Sequence, residues 1–395
     1  MPGVFDRLVG QSDVEADLVA AATAARRDEA GSAMTHSWLF TGPPGSGRSI
    51  AALCFAAALQ CTDAGTPGCG HCHACTTTMA GTHGDVRRVV PEGLTISVKA
   101  MRDIVQVASR RPSTGRWQVV VIEDADRLTE GAANALLKVV EEPPQRTVFL
   151  LCAPSVDPED ISVTLRSRCR HIGLVTPRTD AIAQVLREGD GIDDATATWA
   201  ASVCAGHVGR ARRLATDPVA RDNRKRALDL AGAVLRPATT YAAAEELGRS
   251  AEAEAKEISA ARDERETEEL RTALGAGGTG KGAAGALRGS AGVLKDLERA
   301  QKSRKTRTER DIMDRALIDL AGLYRDALAR TFGAATTLNH PDMADRAADL
   351  ADRTRPEALL DCIEAILECR EALAQNVKPK FALAAMAARL SAAFR

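Results

Sequence analysis

The residues best suited to chemistry form a glycine-rich turn between an apolar segment and an alanine-rich one. The turn runs from Gly42 to Ser49 and reads GPPGSGRS, directly after His36-Ser37-Trp38-Leu39-Phe40-Thr41. Glycines at such spacing let backbone N–H groups close around phosphate oxygens, and the helix that follows adds its positive N-terminal end. The sequence therefore predicts a phosphate-binding loop for ATP or ADP, with Gly42, Gly45, Gly47 and Ser49 as binding residues and Ser49 on Mg²⁺.

Arg48 stands where this loop normally carries a lysine. A lysine would place a compact charge against the β- and γ-phosphates, whereas arginine is longer, planar and forked. The glycines and Ser49 remain, so the sequence leaves nucleotide binding open.

A second altered element follows the apolar segment 119–122, where Glu123 precedes Asp124. Acids after such a strand hold magnesium and activate water, usually as Asp followed by Glu. In the reversed order one side chain is a methylene too long and the other a methylene too short. Since both halves of the ATPase centre are altered, we expect hydrolysis to be weak or absent.

Four cysteines predict a metal site. Cys61, Cys69, Cys72 and Cys75 have the spacing C-x7-C-x2-C-x2-C, with Gly and Pro between them for the turns. Four thiolates at this spacing favour a closed, structural tetrahedral zinc site. An iron–sulfur cluster is the alternative, although the usual fourth Cys followed by Pro is missing downstream. His71 and His73 are expected to be exposed and not ligands.

The chain of 395 residues has a formal charge of −1, so no overall positive field attracts nucleic acid. Short apolar runs alternate with helical patterns up to about residue 171, which predicts a parallel α/β sheet flanked by helices. From about Pro177 onward the pattern is helical. We find no stretch of about twenty apolar residues and no signal-peptide pattern, so we expect no membrane association and a cytoplasmic location.

The region 245–310 is charged at both ends and rich in Gly and Ala in the middle, which predicts two solvated helices joined by a flexible loop. The run 302–307 is basic, and the prediction for it is a solvated face, with DNA contact as the minority interpretation. The segment 275–282 imitates a phosphate loop but lacks the terminal Ser/Thr and a preceding strand, so we assign it to the linker.

These elements, in this order, resemble the clamp-loader ATPases of the AAA+ superfamily. Phe5-Asp6-Arg7-Leu8-Val9-Gly10-Gln11 is similar to the family's N-terminal box beside the adenine pocket. The segment 134–144, NALLKVVEEPP, and the segment 164–169, TLRSRC, are similar to two further family motifs. The resemblance covers about residues 1–215, and the charged insertion is not part of the family pattern.

The resemblance implies three domains. They are an AAA+ P-loop α/β domain over 1–176 with a zinc module at 61–75, a helical lid over 177–220, and a helical collar over 221–395 that carries the insertion at about 245–310. It also implies that Arg168 is an arginine finger for a neighbouring subunit's ATP site. Arg210 corresponds to the lid's sensor arginine and Ser155 to the strand sensor, with Val156 as the alternative.

The resemblance further implies a stator with weak or no ATP hydrolysis of its own, within a hetero-pentamer that places a sliding clamp on primed DNA. A competent clamp-loader ATPase of the gamma/tau type and a different AAA+ replication or repair machine, such as a branch-migration motor, remain alternatives. Any DNA contact should be to phosphates. Lys99, Arg102 and Arg110 are candidates for it, although solvated helix charges are the commoner outcome.

Overall fold

The computed structural model describes residues 3–27, 34–234, 237–274 and 291–394. The chain divides into two units, 1–215 and 216–395. The first contains a five-stranded sheet with the order β2-β3-β4-β1-β5, in which neighbouring strands pair in parallel. The strands are β1 (Ser37–Thr41), β2 (Val86–Val89), β3 (Gln118–Ile122), β4 (Thr147–Ala153) and β5 (Arg170–Gly173). The parallel α/β sheet expected from the alternating pattern is confirmed.

The sheet is buried on both faces because successive side chains of a strand point to opposite sides. Trp38 and Phe40 of β1 join the apolar cluster on one face, and Leu39 joins the cluster on the other. The first face is covered by α1 (Ser12–Arg27), α2 (Arg48–Gln60) and α3 (His73–Met79), and the second by α4 (Val98–Ala108) and α5 (Glu130–Glu141).

The helix that follows the glycine-rich turn lies deep in this core. Every residue of α2 from Ala51 to Gln60 is buried. Its many alanines allow close packing against the sheet, which suits a chain with only 3% aromatic residues. The position of the turn is therefore fixed by a rigid strand on one side and a buried helix on the other.

Short helices complete the first unit. After β4 comes α6 (Val163–Arg166), and after β5 come α7 (Thr179–Glu188), α8 (Asp194–Val203) and α9 (Val208–Thr216). Ser162 caps α6 by accepting a hydrogen bond from the Leu165 N–H, and Asp193 caps α8 in the same way at Thr196.

The described part of the second unit is helical and contains no strand. It comprises α10 (Pro218–Ala233), α11 (Pro237–Ala273), α12 (Ala291–Thr331), α13 (Ala344–Arg353), α14 (Pro356–Ala374) and α15 (Pro379–Ala393). Its core is built from leucines, alanines and the fully buried Tyr324. None of the helices in the described ranges is long and apolar enough to cross a membrane.

The helices α11 and α12 continue past this core as a pair that we call the arm, residues 256–274 and 291–311. The apolar core ends at Ala255 on α11 and at Ile312 on α12. The two predicted helices are present, but the prediction of a solvated basic face is wrong for Arg304. Its side chain is only 14% exposed and forms ion pairs with Asp263 and Glu266 of α11. The loop-like segment 275–282 lies outside the described residues.

Candidate functional site

The carboxyl ends of β1, β3 and β4 meet at one edge of the sheet, where ligands of open α/β sheets bind. The glycine-rich turn follows β1, Glu123 and Asp124 follow β3, and Ser155 lies shortly after β4. A hydrogen bond of 3.1 Å from the Gly42 N–H to the Pro154 carbonyl joins the first and third of these segments. The structure therefore places the expected nucleotide residues of the first domain at a common edge.

The phosphate loop has the backbone geometry that glycine permits. Gly45 and Gly47 have φ angles of 89° and 96°, in the left-handed region. A Cβ atom at Gly45 would lie 2.4 Å from the Cα of His207. Only glycine fits at this position, because the start of α9 lies directly against the loop.

Arg48 is directed back into its own loop. One of its terminal nitrogens, Nη1, donates a hydrogen bond of 2.7 Å to the Gly42 carbonyl oxygen. Ser46, also in the loop, is buried, and its hydroxyl makes no hydrogen bond within the described residues. The loop keeps the glycines and Ser49 of a phosphate-binding loop, but its cation, Arg48, is hydrogen-bonded to the protein backbone.

Gln11, the last residue of the N-terminal box, connects this loop to the chain after β5. Its side-chain amide donates to the carbonyl oxygens of Ser46 at 3.3 Å and Val175 at 2.6 Å, and its Oε1 accepts from the Val175 N–H at 3.3 Å. Gln11 is 5% exposed. The side chain therefore holds the loop through backbone groups.

Both acids after β3 are in place, but Glu123 is engaged. Arg88 of β2 donates a charge-assisted hydrogen bond from Nε to the Glu123 carboxylate. Burial, and secondarily the nearby Asp124, raises the pKa of Asp126. At this edge Glu123 is therefore paired with Arg88 of the neighbouring strand, whereas Asp124 and Asp126 lie close enough to repel each other.

The two expected sensors lie beside this edge. Ser155 donates to the Asp160 carboxylate at 2.7 Å and accepts from the Asp157 N–H at 2.9 Å, so its hydroxyl is tied to its own loop. Arg210 lies in α9, where its N–H donates to Nδ1 of His207 at 3.2 Å. The sensor roles of Ser155 and Arg210 stay predictions.

Arg168 lies at the opposite edge of the sheet. It follows α6 and precedes β5, so it is near the amino ends of the strands, whereas the phosphate loop follows their carboxyl ends. The seven-residue β4 measures about 20 Å at the usual rise per residue, and this length separates the two edges. Arg168 Nη1 donates to the Thr164 carbonyl at 2.9 Å and to Ser167 Oγ at 3.2 Å. Its Nη2 pairs with Glu141 Oε1 at 2.6 Å.

The four predicted metal ligands converge in the fold. The sulfur atoms of Cys61, Cys69, Cys72 and Cys75 all lie within 4.8 Å of one another. Cys61 and Cys72 are 4.0 Å apart, close to the edge of about 3.8 Å that follows from a tetrahedron with Zn–S near 2.3 Å. The donor set and its size therefore fit a zinc ion.

The four thiols differ in pKa: against the effect of burial, hydrogen bonds lower the pKa of Cys61 and Cys72, whereas burial raises the pKa of Cys69 and Cys75. Burial opposes ionisation of Cys72, but hydrogen bonds from Thr62 and Cys75 outweigh it and lower the pKa of the thiol to about 6. His71 and His73 are exposed, as expected. His71 faces Asp63 at 3.5 Å.

Two residues of the phosphate edge were missed by the sequence reasoning. Arg88 neutralises Glu123, and His207 covers Gly45. The signal for Arg88 was a pair of arginines, Arg87 and Arg88, between the two valines of β2. The basic candidates Lys99, Arg102 and Arg110 are exposed on or just after α4, and their contact with DNA stays a prediction.

Comparison with known proteins shows which proteins the chain resembles. Residues 21–178 match the family model described as DNA polymerase III, delta subunit, and residues 310–390 match DNA polymerase III, delta subunit, C terminal. The delta-prime subunit from Escherichia coli is 38% identical over 157 residues, which is 39% of this chain and 46% of that protein. The chain resembles delta-prime and related DNA polymerase III subunits. The resemblance to clamp-loader proteins stated from the motifs is thereby confirmed.

Other similar proteins include a second subunit type. The gamma/tau subunit from Mycobacterium bovis is 32% identical over 201 residues, 49% of this chain and 33% of that protein. A DNA polymerase III gamma subunit-related structure from Thermotoga maritima aligns over 95% of this chain and 100% of its own at 14% identity, with a TM-score of only 0.42. The chain spans between a third and a half of the length of the curated relatives described here. Similarity alone therefore does not separate the delta-prime from the gamma/tau type.

Proposed function

We propose that the chain is a clamp-loader subunit of the delta-prime type, which lends Arg168 to the ATP site of a neighbouring subunit. It serves as a stator that hydrolyses little or no ATP itself. Its partners are the other subunits of a hetero-pentamer, the sliding clamp and primed DNA, and its compartment is the cytoplasm. The zinc ion is structural, because four thiolates leave no open position for water.

The observation that carries this proposal is the separation of Arg168 from its own phosphate loop. The two lie at opposite edges of the sheet, about 20 Å apart along β4, so the guanidinium cannot reach a nucleotide bound in the same subunit. A neighbouring subunit that presents its nucleotide to the Arg168 edge would bring the γ-phosphate within reach. There the guanidinium would stabilise the charge that develops during phosphoryl transfer.

The state of the phosphate loop supports the stator assignment. Arg48 is hydrogen-bonded to Gly42, and Glu123 is neutralised by Arg88. In the active geometry of such sites a cation faces the phosphates and an acid activates water. Both groups are occupied by contacts within the protein, so nucleotide binding is weakened and the water-activating acid is lost.

The test is ATP turnover by the assembled loader. Arg168→Ala should slow the ATP site that Arg168 faces by about a thousandfold, the lower range for arginine fingers. Arg166→Ala removes an exposed arginine two residues away and is the matched control. Unchanged single-turnover hydrolysis in the Arg168→Ala loader would show that the finger role is wrong.

A second candidate is a competent ATPase of the gamma/tau type. It is favoured by the retained Gly42, Gly45, Gly47 and Ser49 and by the similarity to gamma/tau subunits. DNA-stimulated hydrolysis by the purified chain alone, abolished by Ser49→Ala, would support it.

A further inference from the structure

The Arg168 side chain is held by three acceptors that all belong to its own chain. Two are local, the Thr164 carbonyl and the Ser167 hydroxyl. The third is the carboxylate of Glu141, the last residue of α5, which is separated by 27 residues in sequence and lies 2.6 Å from Nη2. Glu141 is thus the charged acceptor of the three.

These contacts use the part of the guanidinium that binds phosphate best. Arginine binds a phosphate in a bidentate manner, through two parallel N–H donors of its planar guanidinium. Both terminal nitrogens of Arg168 are already engaged, Nη1 by the local acceptors and Nη2 by Glu141. These three contacts use three of the five N–H donors of the guanidinium. A phosphate that binds through Nη2 competes with Glu141 for that nitrogen.

The location of Glu141 makes it easy to displace. A negative charge at the carboxyl end of a helix is repelled by the helix dipole, so Glu141 contributes nothing favourable to α5. The paired side chains are 37% and 45% exposed, and ion pairs of such exposure are weak and screened by solvent. The pair can therefore hold Arg168 before hydrolysis and yield to the negative charge that develops on the transferred phosphoryl group in the transition state.

We propose that Glu141 is a positioning residue that holds Arg168 in a parked state, paired with Glu141, until charge develops on the γ-phosphate bound by the neighbouring subunit. This inference rests on the proposed finger role of Arg168. Glu141 touches no substrate. It acts only by setting the fraction of Arg168 side chains that are free to contact the phosphoryl group of the neighbouring subunit. Its effect therefore falls on the rate of the chemical step and leaves ATP affinity unchanged.

The experiment is steady-state ATP hydrolysis by the assembled loader carrying Glu141→Gln. The change keeps the shape of the side chain and removes its charge. We expect kcat to rise about twofold to fivefold, the range that the loss of an exposed ion pair permits, with KM for ATP unchanged. Thermal unfolding of the variant should match that of the wild type, because removing this charge does not disfavour the end of α5.

Two controls separate the possible outcomes. Glu142→Gln makes the same charge change at an adjacent exposed position that has no ion pair among the described residues, and it should leave kcat unaltered. Glu141→Gln combined with Arg168→Ala should behave as Arg168→Ala alone. If Arg168→Ala slows hydrolysis but Glu141→Gln leaves kcat unchanged or lowers it, the parked state is wrong and the finger role stands. If Arg168→Ala itself has no effect, the proposed function fails.

Discussion

Arg48 Nη1 donates a hydrogen bond to the carbonyl oxygen of Gly42, 2.7 Å away, across the phosphate loop that both residues belong to. The contact engages the cation of the loop with the protein backbone. An arginine is long enough to make this contact. A lysine, with its compact ammonium group, suits a point contact to phosphate instead.

The Arg48→Lys variant should bind ATP more tightly than the wild type. A backbone hydrogen bond of roughly 1 kcal/mol would no longer have to be broken, which corresponds to about fivefold tighter binding. Hydrolysis should stay weak or absent, because Glu123 stays paired with Arg88. Equilibrium binding of ATP to the purified chain, followed by calorimetry, gives the measurement.

Arg110→Lys is the matched control for this variant, since it makes the same substitution at an exposed position after α4. It should leave ATP affinity at the wild-type value. An Arg48→Lys variant that binds no more tightly than this control would mean that the contact with Gly42 does not limit nucleotide binding.

The cysteine cluster should hold one zinc ion per chain. Cys72→Ser should lower the zinc content and destabilise the segment 61–75, because the loss of a structural metal site removes binding energy from the folded state. His71→Ala should retain the metal if the four cysteines hold it, because their sulfur atoms converge without His71. Asp63, Cys69 and His71 form a second group close enough to hold a metal, and loss of zinc from this variant would favour that group. The measurement is the zinc content per chain of both purified variants by elemental analysis. Equal zinc contents in Cys72→Ser and His71→Ala would exclude a four-thiolate site.

The arm should lose stability in acid through Glu266. Burial raises the pKa of Glu266, but Arg304 and Arg262 outweigh burial, so that its folded pKa lies below the ordinary value of 4.5. A lowered carboxyl pKa contributes stability above the unfolded pKa, and the contribution disappears as pH falls through the folded pKa. Hydrogen exchange of α11 amides in the arm, corrected for intrinsic rates, should accelerate about fivefold between pH 6 and pH 3.

Glu266→Gln should remove most of this pH dependence from the arm. Glu264→Gln, which changes an exposed acid on the same helix, should leave it intact. If hydrogen exchange of the arm accelerates equally in both variants as the pH falls, the ion pair between Glu266 and Arg304 does not stabilise the arm.

The sequence predicted those features that depend on local patterns. The apolar runs predicted the buried parallel strands, and the cysteine spacing predicted a cluster whose sulfur atoms converge. The glycine spacing predicted the loop, because the positive φ angles of Gly45 and Gly47 are a property of the turn itself.

Features that depend on long-range side-chain pairing could not be predicted. Arg88 and Glu123 are separated by 35 residues and meet only because β2 and β3 pair. Arg304 carries the charge of a solvated residue, yet it lies between the two helices of the arm, where Asp263 and Glu266 offset the cost of burying it. Charge patterning along one helix contains no information about its partner.

ATP turnover in a mixture of this chain and its neighbouring ATPase subunit tests the central claim most directly. The account predicts negligible turnover by this chain alone. It predicts that the wild-type mixture exceeds the sum of the separate rates, and that the excess disappears when this chain carries Arg168→Ala. The account would be contradicted if the Arg168→Ala mixture kept the full excess, or if this chain alone hydrolysed ATP as fast as the mixture.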